Sequence, residues 1–181
     1  MGNKNNNGAG KALLIFAGIL AILSVLLYFF DEALGAWWQV SADFAGTLFD
    51  GSEYTNAFGY VENASNEMVS VIGPIGILVG VLVLVGGVLM FYSVAKESKG
   101  LSFLGWLLVL GGIALFLYGL NNVEDYENIL GGLNFITGDE YSVYFGTIDL
   151  GIFGVWTWGL TIGAYIAIAA VVLGVIGTIE L

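Results

Sequence analysis

The sequence predicts an integral membrane protein that is mainly α-helical: a four-transmembrane-helix bundle built from two tandem span–loop–span repeats, carrying small extracellular β-hairpins. Three observations predict this. The chain has 181 residues, of which 58% are hydrophobic and only 10% charged, whereas soluble domains carry about 25% charged residues. Four runs, 12–30, 68–95, 101–120 and 150–179, contain no Asp, Glu, Lys or Arg, and each approaches or exceeds the roughly 20 apolar residues a spanning helix needs. Finally, GSEYTNAFGYVE at 51–62 recurs as GDEYSVYFGTID at 138–149, a spacing of 87 residues that matches Gly51, Glu53, Tyr54, Phe58 and Gly59 to Gly138, Glu140, Tyr141, Phe145 and Gly146. Each copy lies between two apolar runs, so the repeating unit is span, loop, span.

Residues 1–11 are rich in Asn and Gly and include Lys4 and Lys11, which reads as a disordered tail. The 19-residue run that follows is longer than the 7–15 residues of a signal-peptide core, so 12–30 is expected to stay as the first helix. Asn6 occupies the place where myristoylation requires Ser or Thr. Asp31 and Glu32 mark the exit from the span, and the indoles of Trp37 and Trp38 suit the headgroup layer.

The first loop, 31–67, contains the first repeat copy. Asp50-Gly51 is a hairpin turn signal. Beyond it, Tyr54, Phe58 and Tyr60 fall on one side of an extended chain, and Tyr141 and Phe145 form the matching row in the second copy. These five aromatics are the expected assembly surface, with the two hairpins covering each other in one small sheet or meeting a neighbouring subunit. Asn63-Ala64-Ser65 is a glycosylation sequon.

The second span, 68–95, carries Pro74 near one end and a Gly76/Gly80 pair. Gly159 and Gly163 form a similar pair in the fourth span, and small residues four apart let helices approach closely. The connection 96–100 makes spans two and three antiparallel neighbours, and Trp106 on the third span, 101–120, is expected at the inner interface. The second loop, 121–149, begins with a Glu124, Asp125, Glu127 cluster and an apolar stretch at 130–135. The fourth span, 150–179, places Trp156 and Trp158 as further interface anchors.

All four lysines (Lys4, Lys11, Lys96 and Lys99) lie in the tail or the short connection, while the two long loops hold thirteen of the fifteen acids and no lysine. That bias puts both termini in the cytoplasm and the long loops outside. An acidic exterior excludes nucleic acid as a direct ligand and makes divalent cations candidate partners of the loops.

The chain has no Cys, His or Arg. Disulfides, thiolate and His-based zinc sites, Ser-His and Cys-His nucleophiles and arginine clamps on phosphate are thereby excluded. Paired carboxylates remain, with Glu53 and Glu140 at matching repeat positions, but two acids on an acidic surface read as a solvated face. The expectation is a non-enzyme without cofactor, catalytic residues or a resident metal. Its expected role is structural or scaffolding, or that of an accessory subunit of a membrane assembly in a cell envelope, viral membrane or larger complex. Its partners are then lipid, copies of itself or other membrane subunits. The alternative is a small cation channel with an acidic vestibule, lined by Ser24, Ser70, Thr157 and Thr161.

Four spans with both termini inside, and a first loop containing Gly35-Ala36-Trp37-Trp38, resemble the claudin-like tetraspan class. The resemblance implies a small extracellular sheet used for side-by-side and cell-to-cell assembly. This chain departs from the class in lacking its paired loop cysteines, in its longer second loop and in the internal duplication.

Overall fold

A computed structural model describes residues 7–43, 51–62, 68–123, 141–149, 151 and 154–181. Asp50, Asn63, Glu124, Asp125, Glu127, Gly138, Glu140, the stretch 130–135 and residues 1–6 lie outside the described residues. Four helices are long and apolar enough to cross a membrane. They are α1 (Asn7–Leu26), continued by the 3-10 turn Leu27–Phe29, then α3 (Ile75–Lys96), α4 (Lys99–Asn121) and α5 (Ile162–Glu180). A single-turn helix, α2 (Glu32–Gly35), follows α1, its Leu34 N–H donating to the Asp31 carboxylate at 3.0 Å.

The helices are apolar all round, and small residues stand on their buried side beside larger ones such as Leu14, Val79, Met90 and Phe116. Phe16, Leu23, Val81, Val88, Leu107, Leu110, Val172 and Ile176 point outward, while Ala17, Ala21, Gly87, Gly105, Ala167 and Ala170 are buried. Small residues on the buried side let helix backbones approach closely, the packing that holds helices together where no hydrophobic drive acts between them. α1 and α4 each pack against both α3 and α5, which closes the four into a ring. Two close crossings pair glycines: a Cβ on Gly18 would lie 2.9 Å from the Gly87 carbonyl, and one on Gly86 2.5 Å from the Gly105 carbonyl.

Among the described residues there are six strands: β1 (Trp38–Asp43), β2 (Gly51–Thr55), β3 (Tyr60–Glu62), β4 (Met68–Ser70), β5 (Phe145–Asp149) and β6 (Val155–Leu160). They form a four-stranded antiparallel sheet in the order β2-β1-β6-β5 and a separate β3-β4 pair. Each repeat unit contributes one hairpin to the larger sheet, and the hairpins join where β1 pairs with β6.

The geometry follows the 87-residue spacing of the sequence. Tyr60↔Ser70, Val61↔Val69 and Glu62↔Met68 pair in β3·β4, and Thr147↔Thr157, Ile148↔Trp156 and Asp149↔Val155 pair in β5·β6. At that spacing Ile75 opens α3 and Ile162 opens α5, and buried Gly76, Gly80, Val83, Gly87 and Met90 match buried Gly163, Ala167, Ala170, Gly174 and Gly177. On α1 and α4 the buried positions recur one residue later, Leu14 with Ser102, Ala17 with Gly105 and Val25 with Ile113. Where one unit is large the other tends to be small, so the two halves fill one core.

Several boundaries differ from the sequence reading. Helix α1 begins at Asn7, taking in residues assigned to the tail. Residues 68–70, counted as span, are strand β4, and α3 starts only after Pro74, which suits a residue with no N–H to give. Helix α4 runs one to two residues beyond 101–120 at each end. The largest correction is at 150–179, where Val155–Leu160 is strand β6 and the helix begins at Ile162. The VWTWGL run alternates β-branched and aromatic residues with period two, a strand pattern that its hydropathy conceals.

Candidate functional site

The segment Gly35-Ala36-Trp37-Trp38 ties three parts of the fold together. The Trp37 N–H donates to the Thr55 carbonyl at 2.8 Å, joining the segment to β2. Thr161 N–H donates to the Trp37 carbonyl at 3.1 Å, and Gly163 N–H and the Thr161 hydroxyl both donate to the Ala36 carbonyl, at 2.9 and 2.5 Å. The first turn of α5, whose N–H groups have no partners within their own helix, is thus capped by this loop. Gly163 belongs to this junction rather than to a helix crossing, because a Cβ there would lie 2.5 Å from the Ala36 carbonyl.

Trp37 and Trp38, expected as headgroup anchors, are buried within the protein. Trp37 is fully buried, its indole N–H donating to the Ser24 carbonyl at 2.7 Å and its ring meeting Phe116 edge-on at 5.1 Å. Trp38 and Trp158 lie on the inner face of the sheet, donating to the successive carbonyls of Val143 and Ser142 at 3.0 and 2.7 Å. Trp156 shares that inner face by strand alternation. Trp106 is half-buried on α4, in edge-on contact with Phe103 at 4.8 Å. Among the described residues the buried indole nitrogens of Trp106 and Trp156 have no hydrogen-bond partner.

The five aromatics expected to form one assembly face are separated. The chain is not extended through 56–59: Gly59 has φ +70°, its N–H donates to the Asn56 carbonyl at 2.9 Å, and the Asn56 side chain accepts from Phe58 and Tyr60 N–H at 2.9 and 3.1 Å. This turn throws Phe58 onto α3, where its ring occupies the space a side chain at Gly80 would need and its carbonyl lies over Gly76. The Gly76/Gly80 pair is a seat for Phe58, not a helix crossing. Tyr60 is half-buried at the start of β3, and Tyr141 packs edge-on against Trp158 at 5.8 Å. Tyr54 and Phe145 alone share the outer face of the four-stranded sheet, at its opposite edges, and Phe145 is 71% exposed. Gly159 lies in β6 rather than in a helix.

The strand register lays that outer face out as a grid. Tyr54, Gln39, Gly159 and Phe145 make one row across β2-β1-β6-β5; Ser52, Ser41, Thr157 and Thr147 make the next; Asp43, Val155 and Asp149 make a third. The face therefore grades from aromatic and amide, through hydroxyl, to carboxylate. The apolar character of 150–179 hides this set in the sequence, although the alternation of Val155–Leu160 points to it. The hydroxyls suggested as a channel lining do not share a lumen. Ser24 donates to Ala21 C=O and Thr161 to Ala36 C=O, Ser70 is on β4, and Thr157 is on the sheet's outer face.

Glu32, beside the sheet end of α1, has its carboxyl raised above the usual carboxylate range, first by desolvation, then by a hydrogen bond and charge repulsion from Glu62, with Asp31 adding to it. A raised folded-state value means the contribution to stability is complete below the unfolded value and is lost as pH rises through the folded one. Glu32→Gln is expected to raise the thermal midpoint at pH 7 and to leave it unchanged at acid pH, as a pair of melting scans would read. At the opposite end Lys11 pairs with Glu97, which is lowered by that hydrogen bond and charge. Its contribution runs the other way, present above the ordinary glutamate range and lost as pH falls through the lowered value. Lys99 donates to the Ile179 carbonyl at 3.3 Å, closing the last turn of α5. Among the described residues no group of three or more Asp, Glu, His or Cys is placed to hold a metal ion.

Four apolar helices in a ring with a sheet at one end define the chain as a small helical bundle of membrane-protein type. No protein-family model matches the sequence, and no curated protein matches it.

Proposed function

We propose that the protein is a non-enzymatic subunit of a membrane assembly, with the lysine-bearing end of the bundle in the cytoplasm and the sheet outside, and that it associates through the open edge of β4. The observation that carries this reading is the unequal use of two equivalent strands. β6 is paired on both sides, by β5 and by β1. Its repeat counterpart β4 has the same register with β3, yet no strand lies on its other side among the described residues. Met68, Val69 and Ser70 are all exposed. An exposed apolar strand edge is a template for pairing with another chain. The assembly role also agrees with what the claudin-like resemblance implies for an extracellular sheet. The glycine contacts, by contrast, are spent within the bundle, so association is assigned to the sheet end rather than to the helices.

Because Val71 N–H donates to the Gly59 carbonyl, strand alternation turns the N–H groups of Met68 and Ser70 toward the open edge. Met68→Pro removes one of those donors without touching the β3·β4 pair. The expected result is a defined oligomer for the natural chain in mild detergent and a monomer for Met68→Pro, by light scattering with the detergent subtracted. Val69→Cys, the sole cysteine of its chain, should give a disulfide-linked dimer in membranes. A monomeric natural chain with no Val69→Cys dimer would sink this reading.

A further inference from the structure

We propose that the outer face of the four-stranded sheet binds a neutral sugar ring, in an open cleft of about 520 Å³ floored by Gly159. Gln39 and Phe145 flank Gly159 in adjacent strands, Thr147 and Thr157 stand in the next row, and Tyr165 of α5 closes one end. Strands lie about 4.8 Å apart, so Gln39 and Phe145 are separated by roughly 9.6 Å across the missing side chain. This slot admits a six-membered ring standing on the sheet. Phe145 presents an aromatic face to the apolar C–H side of such a ring. The Gln39 amide both donates and accepts, as do the two threonine hydroxyls, which matches a ligand whose hydroxyls do the same. A concave site with an apolar wall and a few convergent polar groups is the ordinary form of a small-ligand pocket.

Charge selects the ligand class. The cleft lining is uncharged, in a chain whose net charge is −11. Asp43 and Asp149 flank Val155 two rows out, and no lysine or arginine lies on any strand of the sheet. An anionic headgroup or phosphate meets repulsion and no counter-charge there. A neutral polyhydroxylated ligand meets neither penalty. The glycine floor is not demanded by the fold: a Cβ at Gly159 would have no neighbour nearer than 3.5 Å, an ordinary contact with Phe145 and Tyr144. A larger side chain there fills the cleft and leaves the sheet intact.

The sugar has two possible sources, a glycolipid headgroup or a free glycan, and the experiment separates them. The full chain is placed in phosphatidylcholine nanodiscs, avoiding sugar-headed detergents. It is titrated with maltotriose, cellotriose, chitotriose and mannotriose, and separately reconstituted into vesicles with and without diglucosyl-diacylglycerol. Saturable binding of a trisaccharide identifies a free glycan, and binding confined to the glycolipid identifies a headgroup; either supports the proposal. Gly159→Leu and Phe145→Ala should each weaken that binding at least tenfold with unchanged near-ultraviolet circular dichroism. No binding in either form, or binding that survives Gly159→Leu, overturns it.

Discussion

Gly35→Ala is expected to leave little folded protein. A Cβ at this position would lie 1.8 Å from the Tyr28 nitrogen and 2.2 Å from its Cα. Both are backbone atoms, so no rotamer change relieves the clash. Gly35 ends α2 where the chain folds back over the turn that closes α1, and the segment it begins caps α5 and starts β1. Moving it aside therefore disturbs the end of α1, the cap of α5 and the start of the interior strand β1 together. Overpacking a core with added carbons usually costs about 1–3 kcal/mol, and a contact of backbone on backbone should exceed that range. The comparison is Gly111→Ala, where a Cβ meets nothing within 4 Å in the middle of α4. There the loss of glycine's chain entropy should raise stability by roughly 0.5–1 kcal/mol. Thermal unfolding in one detergent reads both variants. If Gly35→Ala melts within a few degrees of the natural chain, the fold-back of α2 onto α1 is wrong.

The contrast between these glycines shows where the sequence was legible. Runs without charge gave the four helices, since a bilayer-length apolar segment is a statement about solvent that needs no tertiary information. The repeat at 51–62 and 138–149 marked strand-forming chain, because the spacing that aligns Gly51 with Gly138 also aligns the pairing of β3·β4 with that of β5·β6, although the two pairs lie in different sheets. What could not be read was the use made of each small or aromatic residue. Gly76 and Gly80 have the same spacing as a helix-crossing motif, yet the atoms that approach them come from Phe58, thrown there by a turn whose geometry depends on Asn56. Among the contacts that do join helices are Gly18 with Gly87 and Gly86 with Gly105, and a local spacing marks such glycines as small without naming their partners. Hydropathy likewise could not separate strand β6 from helix α5, because both are apolar; only the period of the side chains differs.

Tryptophan raised the same ambiguity, since an indole beside a span suits either the headgroup layer or a protein interior. For Trp37 the two readings predict different results. Trp37→Ala should destabilise the protein by about 3–5 kcal/mol, the usual range for deleting a large buried aromatic. The loss combines the packing against Phe116 with the hydrogen bond that satisfies the Ser24 carbonyl. That carbonyl lies near the end of α1, and the Ser24 hydroxyl itself donates to the Ala21 carbonyl. Trp37→Phe keeps most of the ring contact and removes only the donor. It should fall between the natural chain and Trp37→Ala, near the 1–3 kcal/mol of one unsatisfied buried acceptor. An interfacial anchor would behave differently, tolerating Phe and responding to bilayer thickness. Unfolding the three proteins in detergent and again in bilayers of two thicknesses distinguishes the cases. A graded loss that does not depend on thickness marks Trp37 as the residue that holds α1 to the start of the sheet. Tolerance of both substitutions would return it to the membrane surface, and with it the junction on which the sheet end is built.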